Sequence, residues 1–193
     1  MNYVISSPGR TGSTLLYNIL QAANASIILT THNYYFNVSN PELTTLIFSQ
    51  RRDLFKSIIS AIAGEHMKKY HYKVDEQIPT HTPFKIDCTG DNSRFEHQYR
   101  WHKWHIKNHN LTKPYAKIET LYLEDFMHDY NYVYTKLNLT PKKEVNSPIK
   151  TPYNYTELII NYEECKKQFE YLELNAVYYP PPPEFVLSNI LPN

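Results

Sequence analysis

The chain has 193 residues, 41% of them hydrophobic, with 13 Pro and only 4 Gly, a composition that fits one globular domain and excludes a fibrous repeat or a disordered tail. Lys plus Arg number 20 against 19 Asp plus Glu, which excludes a protein built to coat nucleic acid or an anionic membrane, so any anion site has to be local. No stretch reaches the roughly 18 apolar residues of a spanning helix, and Met1 to Ile5 reads as the start of a strand rather than a signal peptide; Cys88 and Cys165 read as reduced thiols of a cytoplasmic protein.

In chain order, Tyr3 to Ser6 is a β-branched run that ends at Ser7-Pro8-Gly9, and a helical pattern opens at Ser13 with Leu15, Leu16, Ile19 and Leu20 on one face. A second apolar run, Ala25 to Thr30, leads into the aromatic, polar segment His32 to Asn37, and Leu43 to Ser49 reads as a buried strand. Asp53 is placed to cap a helix carrying Leu54, Ile58, Ile59 and Ile62, with Gly64 as its stop. Lys68 to Pro83 is polar and irregular, and Phe84 to Cys88 reads as a short strand. A polar helix is expected from Asn92 to Asn108, a strand from Ala116 to Leu123, and another helix from Glu124-Asp125, which are expected to cap it. A last helix spans Thr156 to Leu172, and Pro180 to Pro183 is polyproline. This alternation predicts an α/β domain with a central, mainly parallel sheet flanked by helices, whose ligands gather at the carboxyl ends of the strands. The expected domain runs over 1–193, with a core at 2–172 and a Pro-rich tail at 178–193. Asn-x-Ser/Thr sequons at Asn24, Asn37, Asn110, Asn138 and Asn154 read as a by-product of an Asn- and Thr-rich composition.

The loop Ser6-Ser7-Pro8-Gly9-Arg10-Thr11-Gly12-Ser13-Thr14 sets two glycines, small hydroxyl residues and one cation between a strand and a helix. Glycines let the backbone turn sharply and come close to a ligand, the first N–H groups of the helix point outward, and the helix dipole favours an anion there. The loop departs from the Walker A pattern, because no Lys precedes Ser13 and the glycines stand closer together. Further on, Arg52 offers a planar fork suited to a phosphate, and Ser60, eight residues on, supplies a hydroxyl about two helical turns into the next element. Arg51 is one residue out of register and points away on strand geometry.

These two segments resemble the sulfotransferase family, closest in motif to its bacterial trehalose-type and carbohydrate-acting members. The first is similar to the family's 5′-phosphosulfate loop, with Gly9 inserted between Pro8 and Arg10; the second, Arg51-Arg52-Asp53 through Ser60, is similar to its 3′-phosphate motif. The stretch Lys117 to Phe126, followed by a helix to Leu139-Thr140-Pro141, is similar to a scaffold segment of the family, and Lys150 lies where some members place a basic loop over the donor. The resemblance covers residues 2–170 and is specific over 7–15 and 51–61. It implies a P-loop-like three-layer fold and the donor 3′-phosphoadenosine 5′-phosphosulfate (PAPS), with PAP as product and no metal. It also implies donor binding by Gly9, Arg10, Thr11, Gly12, Ser13, Thr14, Arg52 and Ser60. A small-molecule or carbohydrate acceptor is expected, with no nucleic-acid or membrane partner.

Sulfuryl transfer needs charge stabilisation, which Arg10 can give only electrostatically, and a base, for which His32 is the first candidate; His66, Asp87 and Glu65 compete with it. His102, His105 and His109 fall on one helical face, but the surrounding Arg100, Lys103, Lys107, Trp101 and Trp104 favour a helix half packed on the sheet over a zinc site. Two other readings stand beside the sulfotransferase: a Mg-dependent nucleotide or sugar kinase-like phosphotransferase, and a PAPS- or PAP-binding module without catalysis.

Overall fold

The computed structural model describes residues 1–32, 38–68, 80–90, 93–107, 115–146 and 153–175. The His109, Lys150 and polyproline expectations, and most of the irregular segment before Pro83, lie outside these residues. The chain is α/β, with a four-stranded, all-parallel sheet in the order β2-β1-β3-β4: β1 is Asn2–Ser6, β2 Ser26–Thr31, β3 Thr44–Gln50 and β4 Lys117–Tyr122. It divides into two compact units, Met1–Arg52 with His105–Pro148, and Asp53–Trp104 with Ile149–Asn193.

The first unit holds the sheet, with α1 (Ser13–Ala22), α4 (Leu123–Phe126) and α5 (Asn131–Leu137) on one face of it. The two-residue period of the strands explains the packing. Tyr3 and Ile5 of β1, Ile47 of β3 and Leu121 of β4 meet Leu16, Ile19 and Leu20 of α1, Phe126, Val133, Tyr134 and Leu137. Val4, Leu46 and Phe48 form the opposite face with Val38. Every residue of β3 is buried, as a strand paired on both edges with both faces covered requires. A bulge between Tyr3 and Val4 leaves Ile28 of the edge strand β2 without a partner in the register, and it is exposed.

The second unit contains α2 (Leu54–His66), most of α3 (Arg94–Lys107), α6 (Tyr155–Leu158) and α7 (Tyr162–Leu174). Its core joins Ile58, Ile59 and Ile62 of α2, Phe95 and Tyr99 of α3, and Cys165 and Leu172 of α7. The Asp53 carboxylate accepts the Lys56 N–H at 2.8 Å and caps α2 as the sequence predicts. Gly64 does not stop that helix: it is buried and helical, and α2 runs on to His66. Among the described residues Phe84 to Cys88 makes a single parallel bridge, Phe84 to Ile159, in place of the expected strand. The expected helix from Thr156 is two helices broken at Ile159–Asn161, where the Asn161 side chain accepts the Ile86 N–H at 2.9 Å and donates to the Ile86 carbonyl at 2.8 Å. The buried Ile159 still donates its N–H to the Tyr155 carbonyl at 3.0 Å, while its neighbours make the bridge: the Leu158 carbonyl accepts the Phe84 N–H at 3.0 Å and the Ile160 N–H donates to the Phe84 carbonyl at 2.9 Å. Cys88 and Cys165 are both buried free thiols.

Candidate anion site at the strand ends of the first unit

From β1 the chain goes to β2 on one side and then returns past β1 to β3 and β4 on the other. The carboxyl ends of β1 and β3 therefore flank a topological switch point, the place where open parallel sheets gather ligands. The β1–α1 loop, His32 at the end of β2, Arg51-Arg52 at the end of β3 and α4 at the end of β4 all emerge on that edge of the first unit.

The loop has the backbone of an anion cradle. Gly9 (φ 86°), Arg10 (φ 55°) and Gly12 (φ 84°) lie in the left-handed region, and runs that mix left- and right-handed residues turn successive N–H groups to one side. Gly12 caps α1 with no side-chain hydrogen bond, and no acidic residue occupies the first turn, so the positive end of the helix dipole is not offset there. A side chain at Gly12 has no room, because its Cβ would stand 2.5 Å from Leu123 Cδ1 and 3.1 Å from Phe126 Cζ. Ser49 of β3 donates its hydroxyl to the Thr11 carbonyl at 2.7 Å, which ties the loop to the neighbouring strand.

Thr11 is 1% exposed, and its Oγ1 has no hydrogen-bond partner among the described residues. A buried hydroxyl left unpaired costs roughly 1–3 kcal/mol, so it marks a place where a further polar atom belongs. Ser13 is buried, Thr14 exposed, and Gly9 and Arg10 half-buried. The expected residues Gly9 to Gly12 thus form the turn, and Ser13 and Thr14 open α1 directly after it.

His32 is exposed, and its Nδ1 lies 3.0 Å from both the carbonyl oxygen and the Oγ of Ser7. A carbonyl only accepts, so Nδ1 carries the hydrogen, and in the neutral ring Nε2 holds the lone pair. The sequence offers no sign of this pairing beyond the position of Ser7 at the end of β1.

Arg52 binds the Asp125 carboxylate through both terminal nitrogens, at 2.5 and 2.8 Å, and its guanidinium carbon stands 4.6 Å from the centre of the Tyr122 ring. The backbone N–H of Arg52 donates to Glu124 at 3.1 Å, and Nε of Arg51 is 3.5 Å from the same carboxylate. This corrects the expected capping role: Tyr122 is the N-cap of α4 and makes no side-chain cap bond, while Glu124 and Asp125 hold the two arginines. The hydrogen bond to Arg52 lowers the Asp125 carboxyl below the ordinary range, and the same bond raises the guanidinium.

Ser60 belongs to the second unit, where it is buried in α2 and its Oγ accepts from the Tyr155 hydroxyl at 2.9 Å. Among the competing bases of that unit, Glu65 is held by Arg94 and Gln98, His66 is stacked on Phe84 and Asp87 is exposed. His102 is buried; Nδ1 donates to the Gln98 carbonyl at 2.8 Å, and Nε2 accepts from Ser57 at 3.1 Å. His105, in the first unit, is buried beside Ser6 and Phe48. No group of His, Cys, Asp or Glu among the described residues is arranged to hold a metal ion, and no described helix is long and apolar enough to cross a membrane.

Comparison with protein-family models, with curated proteins and with solved structures returns no match to this chain.

Proposed function

We propose that the protein is a PAPS-dependent sulfotransferase with a P-loop-like, three-layer fold, acting in the cytoplasm on a hydroxyl or amine of a small-molecule or carbohydrate acceptor. The observation that carries this reading is the left-handed turn Gly9–Gly12, with its unpaired buried Thr11 hydroxyl, at the switch point of the parallel sheet. That turn suits a phosphate-like oxygen cluster, and Arg10 within it lacks the Lys-Ser/Thr context of a nucleotide-hydrolysing loop. When bound, the donor would supply the sulfuryl group for in-line transfer.

The residues divide the work. Backbone N–H groups of the turn, with the Ser13 and Thr14 hydroxyls, hold the anion at the α1 N-terminus. Arg10 stays protonated at any ordinary pH and offsets charge that builds on the transferred group and on the leaving phosphate oxygen. His32, with Nδ1 fixed by Ser7, presents Nε2 to take the proton from the acceptor. Arg52, at the end of β3, is assigned to the donor's 3′-phosphate, which its planar fork suits.

A ligand that binds only the folded state raises the melting temperature. Adenosine 3′,5′-bisphosphate should therefore stabilise the protein, ATP with Mg²⁺ should not, and Arg52→Ala should erase the preference for the bisphosphate over AMP. Stabilisation by ATP with Mg²⁺ alone would replace this reading with a kinase-like one. His32→Gln should leave bisphosphate binding intact and lower kcat by a factor of about 10² or more; unchanged turnover at saturating donor removes His32 from the chemistry.

A further inference from the structure

Arg52 is held from several sides by the β4–α4 corner, and how it is held bears on what it can bind. Asp125 takes one hydrogen from each terminal nitrogen, the Tyr122 ring lies against the guanidinium, and Glu124 fixes the backbone N–H. Tyr132 of α5, behind Asp125, adds to the lowering of that carboxyl, after the larger effect of Arg52. A guanidinium carries five N–H donors in a rigid plane, so an end-on carboxylate leaves the Nε–H and one hydrogen on each terminal nitrogen. Among the described residues Nε of Arg52 has no partner, and the side chain is 53% exposed. Arg52 is thus immobilised by one of its forks while a second fork stays open to solvent.

We infer that Asp125 is a positioning residue, which fixes Arg52 so that its remaining edge grips the 3′-phosphate of the ligand. The inference rests on the donor-site reading above. A free arginine must give up its rotamer freedom when it binds, whereas one already held against Tyr122 and Asp125 gives up little, and a planar fork matches two phosphate oxygens. The same four-residue helix serves the phosphate loop, since Leu123 and Phe126 close against Gly12. One element thus sets the loop and the arginine together.

Calorimetric titration of the full chain with adenosine 3′,5′-bisphosphate and with AMP tests this. For Asp125→Asn the bisphosphate Kd should rise about tenfold, the scale of one hydrogen bond to a charged group, while the AMP Kd moves less than about twofold. Binding of the bisphosphate that is unchanged or tighter in Asp125→Asn overturns the inference, because Asp125 would then be idle or a competitor for the fork. An equal loss for both ligands overturns it too, as a structural effect. If Asp125→Asn does not fold, Asp125→Ser, which removes the two bonds to the guanidinium with a smaller polar side chain, should show the same selective weakening, and its absence overturns the inference. Wild-type protein that binds the two nucleotides equally refutes the 3′-phosphate site itself, an outcome separate from all of these.

Discussion

At Arg10 and Gly12 the sequence and the backbone make opposite demands. Arg10 holds a left-handed conformation that costs a side-chain-bearing residue about 1–2 kcal/mol, whereas Gly12 holds one that only glycine fits, with Leu123 and Phe126 against it. Arg10→Gly should therefore leave the melting temperature unchanged or raise stability by up to about 1 kcal/mol, offset by the entropy of the unfolded chain, while nucleotide binding weakens. Gly12→Ala should cost roughly 2–4 kcal/mol through left-handed strain and overpacking; chemical denaturation of the two variants measures both effects. A stabilised Gly12→Ala would mean that the turn is not built as described. The turn itself was legible in the sequence, because glycines and hydroxyls clustered between a strand and a helix mark a tight turn at a helix start. Its supports were not: Ser49 reaches Thr11 from another strand, and Asp125 stands 73 residues from Arg52, so no local pattern announces either.

Among the elements, strands and long helices followed the sequence closely because their apolar periods are strong, as in β3 and α2. The failures have physical causes. Gly64 carries no stop signal once α2 buries it in a core, and the run at Phe84 finds a single bridging partner among the described residues instead of a strand. Among the described residues, three sequon asparagines serve the backbone: Asn24 (φ 54°) follows α1, Asn138 ends α5 in the left-handed region, and the Asn154 side chain caps α6. In α7, Cys165 packs beside Cys88, and burial raises both thiols above their ordinary range. A raised acid contributes stability that is complete below its unfolded value, about 8.5 for Cys, and is lost as pH rises from there towards the folded value. Neither thiol should react with a disulfide reagent in the native protein, both should after unfolding, and stability should fall above about pH 8.5. Native-state labelling of either cysteine would contradict this packing.

On the scale of the whole molecule, the two units interleave along the chain: Asp53–Trp104 separates the two segments of the first unit, and His105–Pro148 separates those of the second. Folding therefore has a fixed order of supply. While a chain is being synthesised, β1, β2 and β3 can pair early, but β4 arrives only after the stretch from Gln50 to Lys117. Closing a loop of that length costs about 4 kcal/mol of chain entropy on a logarithmic scale. Until then β3, whose seven residues are all destined for the interior, stands as an open edge of unpaired backbone groups around Leu46, Ile47 and Phe48, the kind of surface that recruits other unfinished chains. With no charged side chain in β3 to repel a wrong partner, the interval before β4 pairs is when the growing chain is most exposed to aggregation.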